Sequence, residues 1–456
     1  MTGKKKRRLV WYLPWDGTYA ARHLEKMARK GWRLEKAGNP FWTYRKAEPA
    51  ALRYAMTYFP AASVFDSGPT GEQMTYADYC AAAGWELVSN YGPLQIFVNE
   101  RTDPVPIETD EGEKLTAIHG AMKKMLLLPY GALAAVWIFN LALRLNLGSY
   151  YAILSTFSSN QQLLFLLAIA LLILVSLGMI VDYLVWYFRS RRAVEQGGAC
   201  LPSHTRPRLL FQWTILAIAM AALLGPWGYK SGGQWLPFVL TVLVITFFLL
   251  AGCYGLLHLL KSMAGSRSFN RGAYIAGAII LSFLCMAVVI GGIMLIPEAE
   301  SPAPPEVYTV ETARGSRTYN IYYDSIPLTL EDLGYTVTEA DHCSYQRGEQ
   351  ASPLVRWAQY SQSVYGEDSA LPELAYDTAD IPWGWLREWC WDRSARYFDF
   401  AETDPGPWGA DRAVTDEGAT GYRRYLLLYG ERIVFLFLGE APTAEQRAVI
   451  AAVLRP

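Results

Sequence analysis

The densest set of chemically capable side chains is the stretch IPWGWLREWCWDRSARYFDF, which carries Trp383, Trp385, Trp389 and Trp391. On a helix Trp385 and Trp389, four apart, share a face, and Trp391 points elsewhere. Exposed, these four form a candidate ligand-binding set that stacks on sugar rings or clamps a peptide. Buried, they are packing anchors, the commoner fate of large aromatics. Asp341, His342 and Cys343 are metal-ligand types, but a closed site needs spaced partners, which are lacking. Asp399, Glu402 and Asp404 lack the glycine and distal glutamate of a calcium loop. There is no HExxH, GxSxG or GxxxxGK[ST]. Five histidines and scattered serines define no nucleophile–base pair. No catalytic residue, metal or cofactor is assigned.

A second group consists of polar residues in apolar surroundings: Asn140, Asp182, Gln212 and His258. Polar groups inside a membrane are expensive and often functional. Asp182 and His258 lie near span ends, where snorkelling and pairing are easy, and for Asp182 an ion pair with an interfacial arginine is the plainer reading. Asn140 and Gln212 suit hydrogen bonds between helices. No ionisable group falls at mid-span, where a proton relay or ion site needs one.

The elements that hold them are five apolar runs: Met125–Leu145, Leu163–Phe188, Leu209–Gly228, Trp235–Leu260 and Ala273–Pro297. Each has roughly the 20 residues needed to cross a bilayer. In hydrocarbon the backbone must satisfy its own hydrogen bonds, so each is predicted helical. Lys123, Lys124, Arg189, Arg191, Arg192, Arg206, Arg208, Lys261, Arg267 and Arg271 flank one side, against Arg144 and Lys230 on the other. This bias, with the basic Lys4 to Arg8 tail, predicts a cytoplasmic N-terminus. Trp186, Trp227 and Trp235 fall at span ends, as interfacial aromatics do. The basic start resembles a signal peptide, but Pro14 and Asp16 interrupt its apolar run, so no cleavage is expected.

The chain has 456 residues and a net charge of -1, unevenly spread. Residues 1–122 carry a net +2, and residues 298–456, with no lysine, a net of -13. The predicted fold is a multi-pass α-helical membrane protein of five transmembrane helices. Residues 1–100 form a cytoplasmic α+β domain and 101–122 a linker. Residues 123–297 form the membrane block, 298–306 a Pro-rich spacer, and 307–456 an acidic extracytoplasmic α+β domain.

Within 1–100 a pattern recurs. A strand at 7–13 is followed by a helix from Tyr19 to Lys30, which Gly31 ends as a left-handed C′ residue. Trp32 and Leu34 begin a strand, and strands follow at Phe41–Lys46 and Arg53–Tyr58. A helix from about Tyr76 to Ala83 stops at Gly84, Trp85 and Leu87 repeat the strand start, and Leu94–Val98 is the last strand. MARKGWRL and CAAAGWEL are the same device, two β-α-β-β units packed as one layered α+β structure with helices on one sheet face. Gly31, Trp32, Gly84 and Trp85 are its structural positions, the tryptophans read as core.

Leu24, Met27, Gly31 to Leu34, Phe41, Tyr44, Lys46, Glu48-Pro49 and Arg53-Tyr54 resemble the first half of bacterial domain of unknown function 2812. Tyr79, Gly84 to Leu87 and Phe97 resemble its second half, so the resemblance covers roughly 8–100. It implies attachment to membrane segments and, from the family's neighbourhood with PadR-type regulators, signalling. It implies no catalytic residues.

In the C-terminal region, strands are predicted at Val307–Val310 and Thr318–Tyr323 and a helical turn at Leu328–Leu333. A hairpin turns through Tyr429-Gly430-Glu431, and a last helix, Ala444–Leu454, starts at a Thr443/Gln446 capping box. Cys343 and Cys390 are a candidate disulfide if this domain is extracytoplasmic. The expected function is a sensor or regulatory protein, with an extracytoplasmic ligand or protein on one side and a cytoplasmic protein partner on the other. A transport or permease-accessory role, requiring a polar cavity between helices, and a membrane-anchored envelope enzyme are the alternatives. The lipid bilayer is the constant partner, and no nucleic-acid partner is expected.

Overall fold

A computed structural model describes residues 4–10, 12–38, 41–146, 150–203, 205–230, 235–294, 306–312, 315–338, 341–365, 371–416 and 423–456. Trp11 and all of the predicted 298–306 spacer except Glu306 lie outside them. The chain forms two compact units, one of Met1–Phe139 with Leu167–Ile296 and one of Asn140–Leu166 with Pro297–Pro456.

The first unit opens with β1 (Lys5–Leu9), α1 (Gly17–Arg29), β2 (Trp32–Lys36) and β3 (Phe41–Lys46). The same series repeats as β4 (Arg53–Tyr58), α2 (Gly71–Ala82), β5 (Glu86–Tyr91) and β6 (Leu94–Asn99). Both repeats fold into antiparallel three-stranded sheets of the same order, β1-β3-β2 and β4-β6-β5. They are two sheets, where one layer was expected. Each repeat carries a register shift at the same place, between Leu34 and Lys36 and between Leu87 and Ser89. A shift of this kind bends a strand and locally disrupts its pairing. Across the junction the Ala37 amide donates to Ser89 Oγ at 2.9 Å. Both helices stop as expected: Gly31 has φ +76° and Gly84 φ +87°, in the left-handed region that favours glycine. A Cβ on Gly31 would also sit 2.8 Å from the Ala47 carbonyl oxygen. α2 starts earlier than its apolar pattern suggests because Thr70 and Gln73 close a capping box.

α3 (Glu111–Met122) continues through a π-helical turn at Lys123–Leu127 into α4 (Leu128–Asn146). The linker helix therefore enters the first apolar run without a break. α5 (Tyr150–Ser158), α6 (Asn160–Glu195), α7 (Thr205–Lys230), α8 (Trp235–Ser262) and α9 (Arg267–Met294) follow. Among the described residues four helices are long and apolar enough to cross a membrane: Glu111–Leu145, Asn160–Glu195, Val244–Ser262 and Arg267–Cys285. The expected run Leu209–Gly228 coincides with α7, whose described apolar part, Pro207–Ala222, is shorter. Their large side chains, such as Phe139, Phe247 and Phe283, point outward. Helices apolar all round with exposed faces suit a lipid surrounding.

The second unit has a hairpin of β7 (Glu306–Thr312) and β8 (Gly315–Ile321) beside a seven-stranded antiparallel sheet. That sheet runs β12 (Ala401–Glu402), β13 (Arg412–Asp416), β14 (Arg423–Tyr429), β15 (Arg432–Leu438), β11 (Leu374–Asp380), β10 (Arg356–Val364) and β9 (Cys343–Ala351). Side chains alternate between its faces. Tyr360, Tyr376, Leu427 and Leu436 pack on one side with Leu328, Leu330 and α11 (Ala444–Leu454). Trp357, Ile381, Leu426 and Phe435 pack on the other with α10 (Gly384–Tyr397) and α5. The expected hairpin and the Thr443/Gln446 capping box are present. α5 was not foreseen: its apolar residues fill a sheet face distant in sequence, which no local pattern announces.

Candidate functional site

The first unit holds its most chemically varied side chains where the repeats meet the helix ends. Trp15, from the loop before α1, is buried, with its ring 5.4 Å from Tyr183 and 6.5 Å from Trp186 on α6. His119 of α3 stacks on Tyr187 at 4.1 Å, and its Nδ1 lies 2.7 Å from the Tyr183 hydroxyl. Trp186 Nε1 donates to the Leu201 carbonyl at 2.8 Å. On another side Arg267 grips Asp66 with two bonds, at 2.5 and 2.9 Å, and the buried Asn270 donates to the Phe65 carbonyl at 3.0 Å.

Trp15, Trp186 and Leu201 also line a cavity of about 430 Å³, together with Tyr58, Trp85, Arg22, Arg53 and Lys114. The linker closes it. Trp85 Nε1 donates to the Val105 carbonyl at 2.8 Å and Arg53 Nε to the Thr102 carbonyl at 3.0 Å. These bonds turn Glu108 inward, where burial first, and Glu111 second, push its carboxyl up to about 7, against the opposing pull of Lys114. Cys200 also lines the cavity, and burial beside Glu111 pushes its thiol up to about 11. It is therefore a thiol at neutral pH and a poor nucleophile. The site can hold a proton on Glu108 and an amphipathic small molecule between aromatic walls.

Glu108 is the residue that sequence reasoning missed, being assigned to a polar linker. Its only local signal is the run Pro104 to Ile107, apolar in part and directly before one acid.

The predicted residues are placed as follows. Trp85 is buried, while Trp32 is half-buried with the Lys6 ammonium 5.4 Å from its ring centroid. Asp182 pairs with Arg208 at 2.5 Å. Gln212 lines a mainly apolar cavity of about 560 Å³ and His258 one of mixed character of about 460 Å³. These three do not converge, and Asn140 belongs to the second unit. In that unit Trp391 is 2% exposed, under the Arg412 guanidinium at 4.7 Å, and Trp389 packs on Phe157. Trp383 and Trp385 are 49% and 67% exposed. The four tryptophans are thus split: Trp391 lies in the core, Trp389 is half-buried against it, and Trp383 and Trp385 are at the surface.

The candidate disulfide needs correction: Cys343 and Cys390 are free thiols. Cys343 stands opposite Val364 in the sheet, on the face of Tyr360 and Tyr376, and Cys390 is buried against the other face. The sheet separates them, and a disulfide needs Cα atoms within about 7 Å. Among the described residues no group of three His, Cys, Asp or Glu side chains is placed to hold a metal ion.

These features define a helical protein with membrane-type apolar helices and mixed α+β domains. Residues 20–129 match the family described as Protein of unknown function (DUF2812). The match runs from α1 through the linker and α3 into the start of α4, so it takes in Glu108 and His119. Comparisons with curated proteins and with solved structures gave no match.

Proposed function

We propose that this chain is a multi-pass plasma-membrane coupling protein. It crosses the bilayer five times, with the N-terminal domain in the cytoplasm and residues 307–456 outside. An extracytoplasmic ligand or protein bound outside alters which cytoplasmic protein the N-terminal domain engages. The charge bias at the helix ends supports the orientation, and five helices from α4 to α9, leaving out the short α5, support the odd number of crossings.

One observation carries the reading. α6 is a single 36-residue helix whose first residues belong to the second unit and whose far end belongs to the first. Just before it, Tyr150 of α5 is buried in the second unit's core, 5.0 Å from Phe435, and Ser158 Oγ donates to Gln350 at 3.2 Å. At its other end Tyr183 and Trp186 pack on Trp15 of the N-terminal domain. A helix that contributes residues to both units is the continuous physical link that coupling requires.

The test compares proteins captured from cells by the full chain and by Tyr150→Ala, which loosens the upstream attachment. A changed set or amount of cytoplasmic partners is expected. Identical capture by both chains, with Tyr150→Ala shown to be inserted and folded, would remove the basis of the reading.

A further inference from the structure

The two repeats end their bulged strands at one place. Lys36 to Gly38, from the last residue of β2 onward, and Asn90 to Gly92 at the end of β5 line the same cavity of about 460 Å³, closed by the loop at 63–69 and the last turns of α8. Three basic side chains face it: Lys36, His258 and Lys261. Among the described residues none of the three makes an ion pair or side-chain hydrogen bond. The one carboxylate lining it, Asp66, is already engaged by Arg267 at 2.5 and 2.9 Å and by the Ser63 amide at 2.7 Å. Asp66 attracts Lys261 more than Lys36 repels it, but both Asp66 oxygens are bonded by Arg267, so with Lys36, Lys261 and Arg267 against one carboxylate the charge around the cavity is positive and favours an anion. Ser67 and Asn90 add polar groups to the wall.

The neighbouring cavity is more strongly apolar and has no basic side chain in its lining. It shares Ala37, Gly38 and Tyr91 with the basic one and continues over Met179, Leu216 and Gln212 of α6 and α7. A chamber with basic side chains beside a more apolar one, at the end of an apolar helix, suits an amphiphile with a charged head.

We propose that Lys36, His258 and Lys261 form a binding site for a phosphate group, placed to take the head group of an anionic lipid from the leaflet beside the N-terminal domain. Lys36 and Lys261 supply the charge and His258 a ring N–H donor. The site is separate from the Glu108 cavity and does not depend on which cytoplasmic protein the domain engages.

The experiment uses the full chain in lipid nanodiscs, with backbone hydrogen exchange read over 63–69 and 254–262. Discs of phosphatidylcholine alone are compared with discs that also contain phosphatidylglycerol, and with phosphatidylcholine discs given inorganic phosphate. Exchange slowed about tenfold or more by the anionic lipid, and lost in a chain carrying Lys36→Gln with Lys261→Gln, is expected from the attraction of two lysines to an anionic surface. Slowing by lipid alone assigns the head group, and slowing by inorganic phosphate as well assigns a soluble phosphate compound. Equal exchange in all three samples overturns the proposal, as does slowing that survives the double substitution. A second measurement needs no variant: in the wild-type chain the slowing should fade at high salt, and persistence there also counts against the site.

Discussion

Asp377 shows how one residue can set the pH response of a unit. It sits on β11 opposite Phe435, 4% exposed, on the sheet face that α5 covers. Its Oδ2 has no hydrogen-bond partner. Burial pushes its carboxyl up to about 7, with Gln359 pulling the other way. The folded state therefore holds a proton that the unfolded chain releases from about pH 4 upward. Stability falls as pH rises from the unfolded value through about 7, by about 4 kcal/mol in all. Asp377→Asn keeps the shape and removes the charge. Chemical denaturation of the variant should be flat over this window, with the wild type markedly weaker at pH 8 than at pH 5. Parallel pH profiles for the two would show that Asp377 is not the titrating group. Glu108 follows the same sign in the first unit, so Glu108→Gln should gain most above pH 7.

At the scale of the element, the repeated Gly-Trp device makes a graded prediction. Gly31 and Gly84 both take a left-handed backbone, which costs a residue with a side chain about 1 kcal/mol or more. At Gly84 a Cβ meets Asn99 Nδ2 at 3.3 Å, a side-chain atom that can shift. At Gly31 it meets a main-chain carbonyl oxygen at 2.8 Å, which cannot shift without moving the strand. Gly31→Ala should therefore lower the unfolding midpoint of the first unit more than Gly84→Ala. Equal losses would mean that contact with Ala47 does not matter. The device was legible in the sequence because helix stops and strand starts are local: a glycine, then an aromatic at the strand start. Phe41–Lys46 and Arg53–Tyr58 were legible from the same alternation. The start of β1 was less so, since β1 ends at Leu9, before the apolar residues that suggested the strand.

For the whole molecule the orientation is the prediction with the widest consequences. Glu402 in the second unit and Lys26 on α1 are both exposed. On intact cells a membrane-impermeant thiol reagent should label Glu402→Cys and leave Lys26→Cys untouched until the membrane is opened. The reverse pattern, or labelling of both, would overturn the proposed crossing number. Electrophoresis with and without reductant should show no mobility change from a Cys343–Cys390 bond, because the two thiols lie on opposite sides of the sheet.

By itself the sequence determined the apolar helices, the capping boxes, the hairpin and the duplicated β-α-β-β pattern. Each rests on residues within a few positions of one another, where hydrophobic spacing and backbone preference act. Only the tertiary structure decided the rest. It sent Trp391 into the core and left Trp385 in solvent, and it turned Glu108 from a linker residue into the wall of a cavity. It drew α5 into the core of a sheet that begins well over a hundred residues later. It also gathered Lys36, His258 and Lys261 around one space. Burial and charge proximity are sums over neighbours from distant parts of the chain, and no local pattern carries them.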